Sequence, residues 1–234
     1  MTINEFIEEL KKINISINND QLQKLEQYYN ILIEENEKIN LTSITNKEDV
    51  YLKHYYDSLT LIKIIDLEKI KNLCDIGSGA GFPGLVIKIL FPNIKVTLVD
   101  SLNKRIDFLN KVISKLELKN VEAIHYRIEE YGLKNREKYD LVTARAVANL
   151  NILLEYSIPL LKVNKYFIAM KSNVEEEIKN IDNSLKLLNT KIEKIEEFNL
   201  PFENSKRTLI KFIKLDKTNN KYPRRYSIIK QKPL

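Results

Sequence analysis

Two acids and a glycine cluster carry the first chemical signal. Asp75-Ile76-Gly77-Ser78-Gly79-Ala80-Gly81-Phe82-Pro83-Gly84 holds four of the chain's five glycines. Glycine adopts positive φ freely and lets a ligand approach the main chain. Gly79-x-Gly81-x-x-Gly84 by itself also fits a dinucleotide-binding turn. Asp75, however, stands two residues before the first glycine. A carboxylate there disfavours a pyrophosphate and favours a cationic ligand. A second acid, Asp100, follows the apolar run Ile94–Val99, where it can accept hydrogen bonds from both hydroxyls of a ribose. The competing reading is that Asp75 and Asp100 simply cap helices. Arg145 leaves another apolar run, and a guanidinium can hold a carboxylate, a phosphate or a base edge in a fixed fork.

The elements needed to hold these residues can be read around them. Ile70–Cys74 reads as a strand, and Leu85–Phe91 as a helix that stops before Pro92. Strand, glycine loop and helix make half of a nucleotide-binding βαβ unit. Further strands are expected at 94–99, 121–126, 139–146, 166–170, 191–198 and 207–215. Helices are expected at 2–12, 20–38, 47–65, 101–116, 150–161 and 174–188. Asp20 with Gln23 forms an expected capping box, and Ser101 an expected helix cap. His54, Asp57 and Ser58 fall on neighbouring turns of the third helix, so His54 and Asp57 are a ligand pair or a local hydrogen bond. His125 lies in a strand, either packed or catalytic. Lys104 and Arg105 open a helix, where the dipole disfavours cations, and so face a ligand or solvent. The run of Asp-x-Gly-x-Gly-x-Gly, then a strand ending in Asp, points to a methyltransferase using S-adenosylmethionine. A nicotinamide-dependent oxidoreductase is the rival.

Composition bounds the rest. The chain has 234 residues, 30% of them charged and 44% hydrophobic, which suits one sizeable α/β domain with an appendage. No run of about eighteen apolar residues marks a membrane span. The single Cys74 cannot form an internal disulfide and reads as a core thiol. No basic-then-apolar leader is visible, and a cytoplasmic location is expected. Net charge is +6, but Glu203–Leu234 carries ten Lys or Arg against two acids, leaving the remainder slightly acidic. A basic end on a near-neutral body suits a polyanionic partner. Its Tyr222-Pro223-Arg224-Arg225-Tyr226 stretch can stack on bases and neutralise phosphates, or form a disordered basic tail.

Seven segments occur in a telling order: Asn40-Leu41-Thr42, Lys53-His54-x-x-Asp57-Ser58-Leu59, the glycine loop, Asp100-Ser101-x-x-Lys104-Arg105, Arg127-x-Glu129-Glu130, Arg145-Ala146 and Tyr222-Pro223-Arg224-Arg225. Together they resemble the bacterial ribosomal RNA small-subunit methyltransferase G family, also called GidB, over essentially the whole chain. Ser78 departs from the Thr common there, and Ser172 from Gly. The resemblance implies an α/β, Rossmann-like class I S-adenosylmethionine-dependent methyltransferase fold. Its sheet would be mostly parallel and seven-stranded, with an N-terminal helical extension at 1–66 and the core at 67–234. It implies methyl transfer from S-adenosylmethionine to N7 of one guanine in 16S ribosomal RNA, with S-adenosylhomocysteine as product. Another RNA or a protein is the alternative acceptor.

Donor contacts are implied at Gly77, Phe82, Ile128, Glu129 and Arg145. The residue reading adds Asp75, Gly79, Asp100 and Ser101. Arg145 would position substrates, with no general base. Asn40, His54, Asp57, Arg105, Lys171, Arg224 and Arg225 would contact RNA or form the pocket rim. The partner would be 16S RNA or the small ribosomal subunit, with no metal, no membrane and a monomeric chain.

Overall fold

The apolar periods resolve into one seven-stranded sheet with helices on both faces in the computed structural model, which describes residues 1–203 and 205–234. The chain opens with α1 (Ile3–Lys12) and α2 (Asn19–Ile39). Both begin on capping boxes, Thr2 with Glu5 and Asn18 with Gln21. The box expected at Asp20 and Gln23 therefore lies two residues earlier. Asn18 is extended as a cap must be, whereas Asp20 is already helical and pairs with Lys24 at 2.6 Å. Asn40 closes α2 in the left-handed region, at φ 49 and ψ 62, which asparagine tolerates.

The expected helix at 47–65 is a composite. Asn46 caps α3 (Lys47–Val50), a π-helical turn covers Tyr51–Tyr56, α4 covers Asp57–Leu59, and a 3₁₀ turn ends at Lys63. In the widened turn the Asp57 amide reaches back to Leu52 O and leaves Lys53 O available. That freed carbonyl is used by the site below.

The sheet follows in alternation: β1 (Asn72–Ile76), α5 (Gly84–Leu90), β2 (Lys95–Asp100), α6 (Asn103–Lys115), β3 (Val121–His125), α7 (Ile128–Lys134), β4 (Tyr139–Arg145), α8 (Leu150–Ser157) and β5 (Leu161–Lys171). Then come α9 (Glu175–Ile178), α10 (Asp182–Leu187), β6 (Thr190–Asn199), β7 (Lys206–Lys214) and α11 (Tyr226–Gln231). Strand order is β3-β2-β1-β4-β5-β7-β6. The first five strands are parallel, and β7 inserts antiparallel between β5 and β6. The short β6–β7 connection allows only a hairpin. Strand order reverses at β1, where Cys74 pairs with Thr97 on one side and Val142 on the other. Open α/β sheets bind ligands at that point, beyond the carboxyl ends of the strands.

Two cores sandwich the sheet, giving three layers. On one face Phe6, Leu10, Leu25 and Tyr28 pack with Leu85, Leu98 and Phe108, so α1 and α2 share a core with α5 and α6. On the other, Cys74 and Val99 pack with Tyr131, Leu154 and Ile229. Cys74 is fully buried and its thiol is pushed well up by burial.

Several local expectations are corrected. β1 begins two residues later than expected, so Asp75 lies inside the strand. Ser101 does not cap α6; Asp100 Oδ1 accepts the Leu102 amide at 3.0 Å instead. The amphipathic stretch at 174–188 breaks into α9 and α10. His125 is exposed at the strand end, its Nε2 bonded to Ser101 O at 2.9 Å. The last basic stretch is ordered, ending in α11. Among the described residues no helix is long and apolar enough to cross a membrane.

Candidate active site

β1 delivers the chain into three glycines in the left-handed region, at φ 65 (Gly77), 56 (Gly79) and 92 (Gly81). The amides of Gly77 and Ser78 donate to Val99 O at 2.8 and 3.2 Å, tying the loop to β2. At Gly84 a Cβ would lie 2.3 Å from Leu98 Cδ2 and 2.8 Å from Asp75 Oδ2, so only glycine lets α5 settle on the sheet. Above Gly79 the space is open: a Cβ there would meet nothing nearer than Gly77 O at 3.9 Å. The loop thus offers bare backbone to a ligand.

The two acids lie beneath this loop. Asp75 is wholly buried. Its Oδ2 accepts the Gly84 amide at 2.9 Å, while Oδ1 has no hydrogen-bond partner among the described residues. Burial, only partly offset by the Gly84 bond and Arg145, raises its pKa to about 7. Asp100 is 2% exposed. Its Oδ2 accepts from Gly79 N at 2.9 Å and Arg105 NH1 at 3.3 Å. Both acids therefore bond to local amides. Asp75 keeps one oxygen without a partner among the described residues, whereas both oxygens of Asp100 accept hydrogen bonds. Both carboxyls brace the glycine loop.

Beyond the loop, β4 ends on Arg145 and the chain turns through Ala146 at φ 55, a strained setting for alanine. Arg145 NH1 donates to Lys53 O at 2.9 Å and to Asp57 Oδ2 at 3.2 Å. Its NH2 lies 3.1 Å from His54 Nδ1. Arginine can only donate, so Nδ1 accepts and Nε2 carries the proton, donating to Thr42 Oγ1 at 3.0 Å. Lys53 O, 3.2 Å from the same Nδ1, is then not its partner. Burial first, and Arg145 second, press the His54 pKa down to about 3, so the ring is neutral. It stacks on Phe82 at 4.3 Å, and Phe82 stacks in turn on Tyr28 at 5.4 Å. His54 and Asp57 thus share no bond of their own; Arg145 joins them. Asp57 Oδ1 takes a second cation, Arg207 Nε, at 3.1 Å.

Three cavities run along this edge. One of about 330 Å³ is lined by Ser101, Ile128, Glu129, Ile152, Tyr156 and Tyr226. A second, about 170 Å³, lies over Gly77, Gly79 and Phe82, bounded by Thr42, Arg105 and Arg145. The largest, about 520 Å³, is lined by Asp57, Arg145, Met170, Lys171, Glu177 and Arg207. His54, Arg145 and Ala146 border both the second and the third.

Not every anticipated residue joins them. Asn40 is exposed and serves as a helix cap, while its neighbours Leu41 and Thr42 line the middle cavity. Lys171 reaches the largest cavity already paired with Glu177, at 2.8 Å, and bonded to Ala148 O, also at 2.8 Å. Arg224, expected at RNA, forms an ion pair: its Nε and NH2 hold fully buried Glu155 at 2.8 and 2.7 Å. Arg225 is exposed before α11. Arg207 was not singled out by sequence reasoning; its only signal was membership of the basic C-terminal segment.

A doubly wound sheet with one antiparallel strand at β7, a glycine loop after β1 and cavities along the carboxyl edge define a Rossmann-like methyltransferase. A solved S-adenosylmethionine-dependent methyltransferase from Aquifex aeolicus shares this fold, with TM-score 0.56 and 17% identity over 74% of this chain and 97% of that one. The family model for GidB, rRNA small subunit methyltransferase G, matches residues 21–209. Ribosomal RNA small subunit methyltransferase G of Bacillus velezensis is 47% identical, covering 100% of this chain and 99% of its own. The Staphylococcus carnosus protein of the same name is 45% identical over the same shares. The chain belongs to this family, and is an S-adenosylmethionine-dependent ribosomal RNA methyltransferase.

Proposed function

We propose that the chain methylates N7 of one guanine in 16S ribosomal RNA, presented as RNA or as a small ribosomal subunit. The observation that carries this reading is the shared wall at His54, Arg145 and Ala146, which lets a loop-bound donor face a base in the largest cavity. The open backbone over Gly79 and the apolar slot beside Ile128 and Glu129 fit a donor carrying a purine. When bound, S-adenosylmethionine supplies an electrophilic methyl group on a sulfonium.

The protein's own contribution is placement. Gly77, Gly79 and Phe82 form the donor's bed, and Ser101, Ile128 and Glu129 the purine slot. Asp75 and Asp100 act through the loop they brace. Guanine N7 has a free lone pair at neutral pH, so no base is needed: the N7–carbon bond forms as the carbon–sulfur bond breaks. Positive charge passes from sulfur to the base. Arg145 cannot accept a proton, and His54 Nδ1 already accepts its guanidinium. Their role is alignment of the attacking atom and water exclusion. Asp57, Arg105 and Lys171 shape the rim, and exposed Arg225 is available to RNA phosphates.

The N-terminal helices through residue 66 act as an extension that completes this rim. A single chain working in the cytoplasm suffices for this arrangement. Incubation with labelled donor and unmodified 16S RNA, followed by cleavage mapping, should give one N7-methylguanine. Arg145→Ala should lower turnover by about a hundredfold, the scale of a lost alignment contact. Label on protein, or on another base position, would favour the alternative acceptor.

A further inference from the structure

The basic C-terminal segment reads from sequence as an RNA-binding tail, yet it packs beside the purine slot. Arg136 anchors its start by donating to the carbonyls of Thr218 and Tyr222. Pro223 lies against Gly132 of α7, where a Cβ would approach its Cγ to 3.2 Å. Arg224 then grips buried Glu155 of α8 through its side chain and its own amide. Ile229 is fully buried in the core beneath. The helix α11 so fixed turns Tyr226 and Lys230 into the slot that also holds Ile128 and Glu129.

The contact extends to the slot's polar end. The Arg127 guanidinium stacks over the Tyr226 ring at 4.1 Å and its Nε donates to Glu129 Oε1 at 2.9 Å. Glu129 is 5% exposed. A carboxylate that deep needs a partner, and the arginine that supplies it lies over the Tyr226 ring.

Building on the reading of this slot as the donor's purine site, we propose that α11 is the slot's outer wall. Tyr226 is a positioning residue for donor binding: it closes the slot and sets Glu129 through Arg127. This segment then serves the methyl donor first, with RNA contact left to exposed Arg225.

Calorimetry with S-adenosylhomocysteine tests this on the full chain, beside RNA binding in a filter assay. Tyr226→Ala should raise the Kd for S-adenosylhomocysteine about tenfold, the effect of losing one aromatic wall against a base. Tyr226→Phe should restore it, since the ring face is what Arg127 meets. RNA affinity should be unchanged in both. Far-ultraviolet dichroism and the melting temperature of Tyr226→Ala confirm folding, and Arg127→Ala gives a second route to the same loss. Unaltered donor affinity in both alanine variants, or a loss confined to RNA binding, overturns the inference while the purine slot stands. No binding to the wild-type chain removes the reading of the slot itself, and the inference with it.

Discussion

The two halves of the cleft are held together by different means. On the donor side, acids bond to backbone amides close in sequence: Asp75 to Gly84, nine residues on, and Asp100 to Gly79, twenty-one residues back. On the acceptor side, side chains meet across long separations. Asp57 binds Arg145 from 88 residues away and Arg207 from 150. A backbone-built half tolerates few residue types but is local. An ion-pair-built half depends on three segments arriving together: the composite helix, the end of β4 and the start of β7. The acceptor half should therefore fail through charge, and the donor half through burial and shape.

The largest expected effect lies in the donor half and is a pH dependence. With Asp75 raised to about 7 from 3.8, the folded state binds more protons than the unfolded one between those values. Stability from this group is present at low pH and falls as pH rises from about 4 to 7, by about 4 kcal/mol in all. Asp75→Asn keeps the shape of the neutral acid and should remove that decline. His54, lowered to about 3, acts with the opposite sign, its contribution growing as pH climbs toward 6.5. The difference between wild type and Asp75→Asn, read by urea unfolding from pH 4 to 8, isolates the acid. Parallel stability curves would show that Asp75 does not titrate in the fold.

The acceptor half comes next. Asp57→Ala leaves Arg145 and Arg207 facing each other without their shared carboxylate, only 5% exposed. The loss should be about 3 kcal/mol by chemical denaturation. Asp57→Asn, which still accepts hydrogen bonds, should cost less. Equal losses for the two would mean that charge is not what joins this half.

Glycine substitutions probe shape alone. Gly84→Ala drives a methyl into Leu98 and Asp75 and should cost about 2 kcal/mol. Gly79→Ala has room for its methyl but not the preferred backbone angle, and should cost about 1 kcal/mol. Thermal unfolding of both variants would order them. A reversed order would place backbone strain above crowding in this loop. Gly79→Ala should nonetheless weaken donor binding more than its stability loss suggests, because its methyl would enter the open space above the loop.

Much of the donor half was legible because its signals are local. Four glycines in ten residues, followed by an apolar helix and an acid-tipped strand, needed no distant partner to be interpreted. The acceptor half was legible in part. His54, Asp57 and Arg145 were each suspected, but their bonds to one another were not. Spacing on a regular helix brings His54 near Asp57, whereas the π turn frees Lys53 O and Arg145 takes all three groups. Arg207 carried no mark beyond its charge. Arg224 carried the same mark, and its pairing with Glu155 was not legible.

By itself, the sequence determined the alternation of strands and helices, the loop of bare backbone and the residues that could serve a methyl donor, since hydrophobic period and glycine placement act within a few turns of chain. Only the tertiary structure decided which charges remain free. Burial pushes the Asp75 carboxyl up, Arg224 pairs with a buried glutamate, and the basic tail folds into α11, whose Ile229 is buried in the core. Neutralisation and desolvation are properties of what a group packs against, and those partners lie tens of residues away.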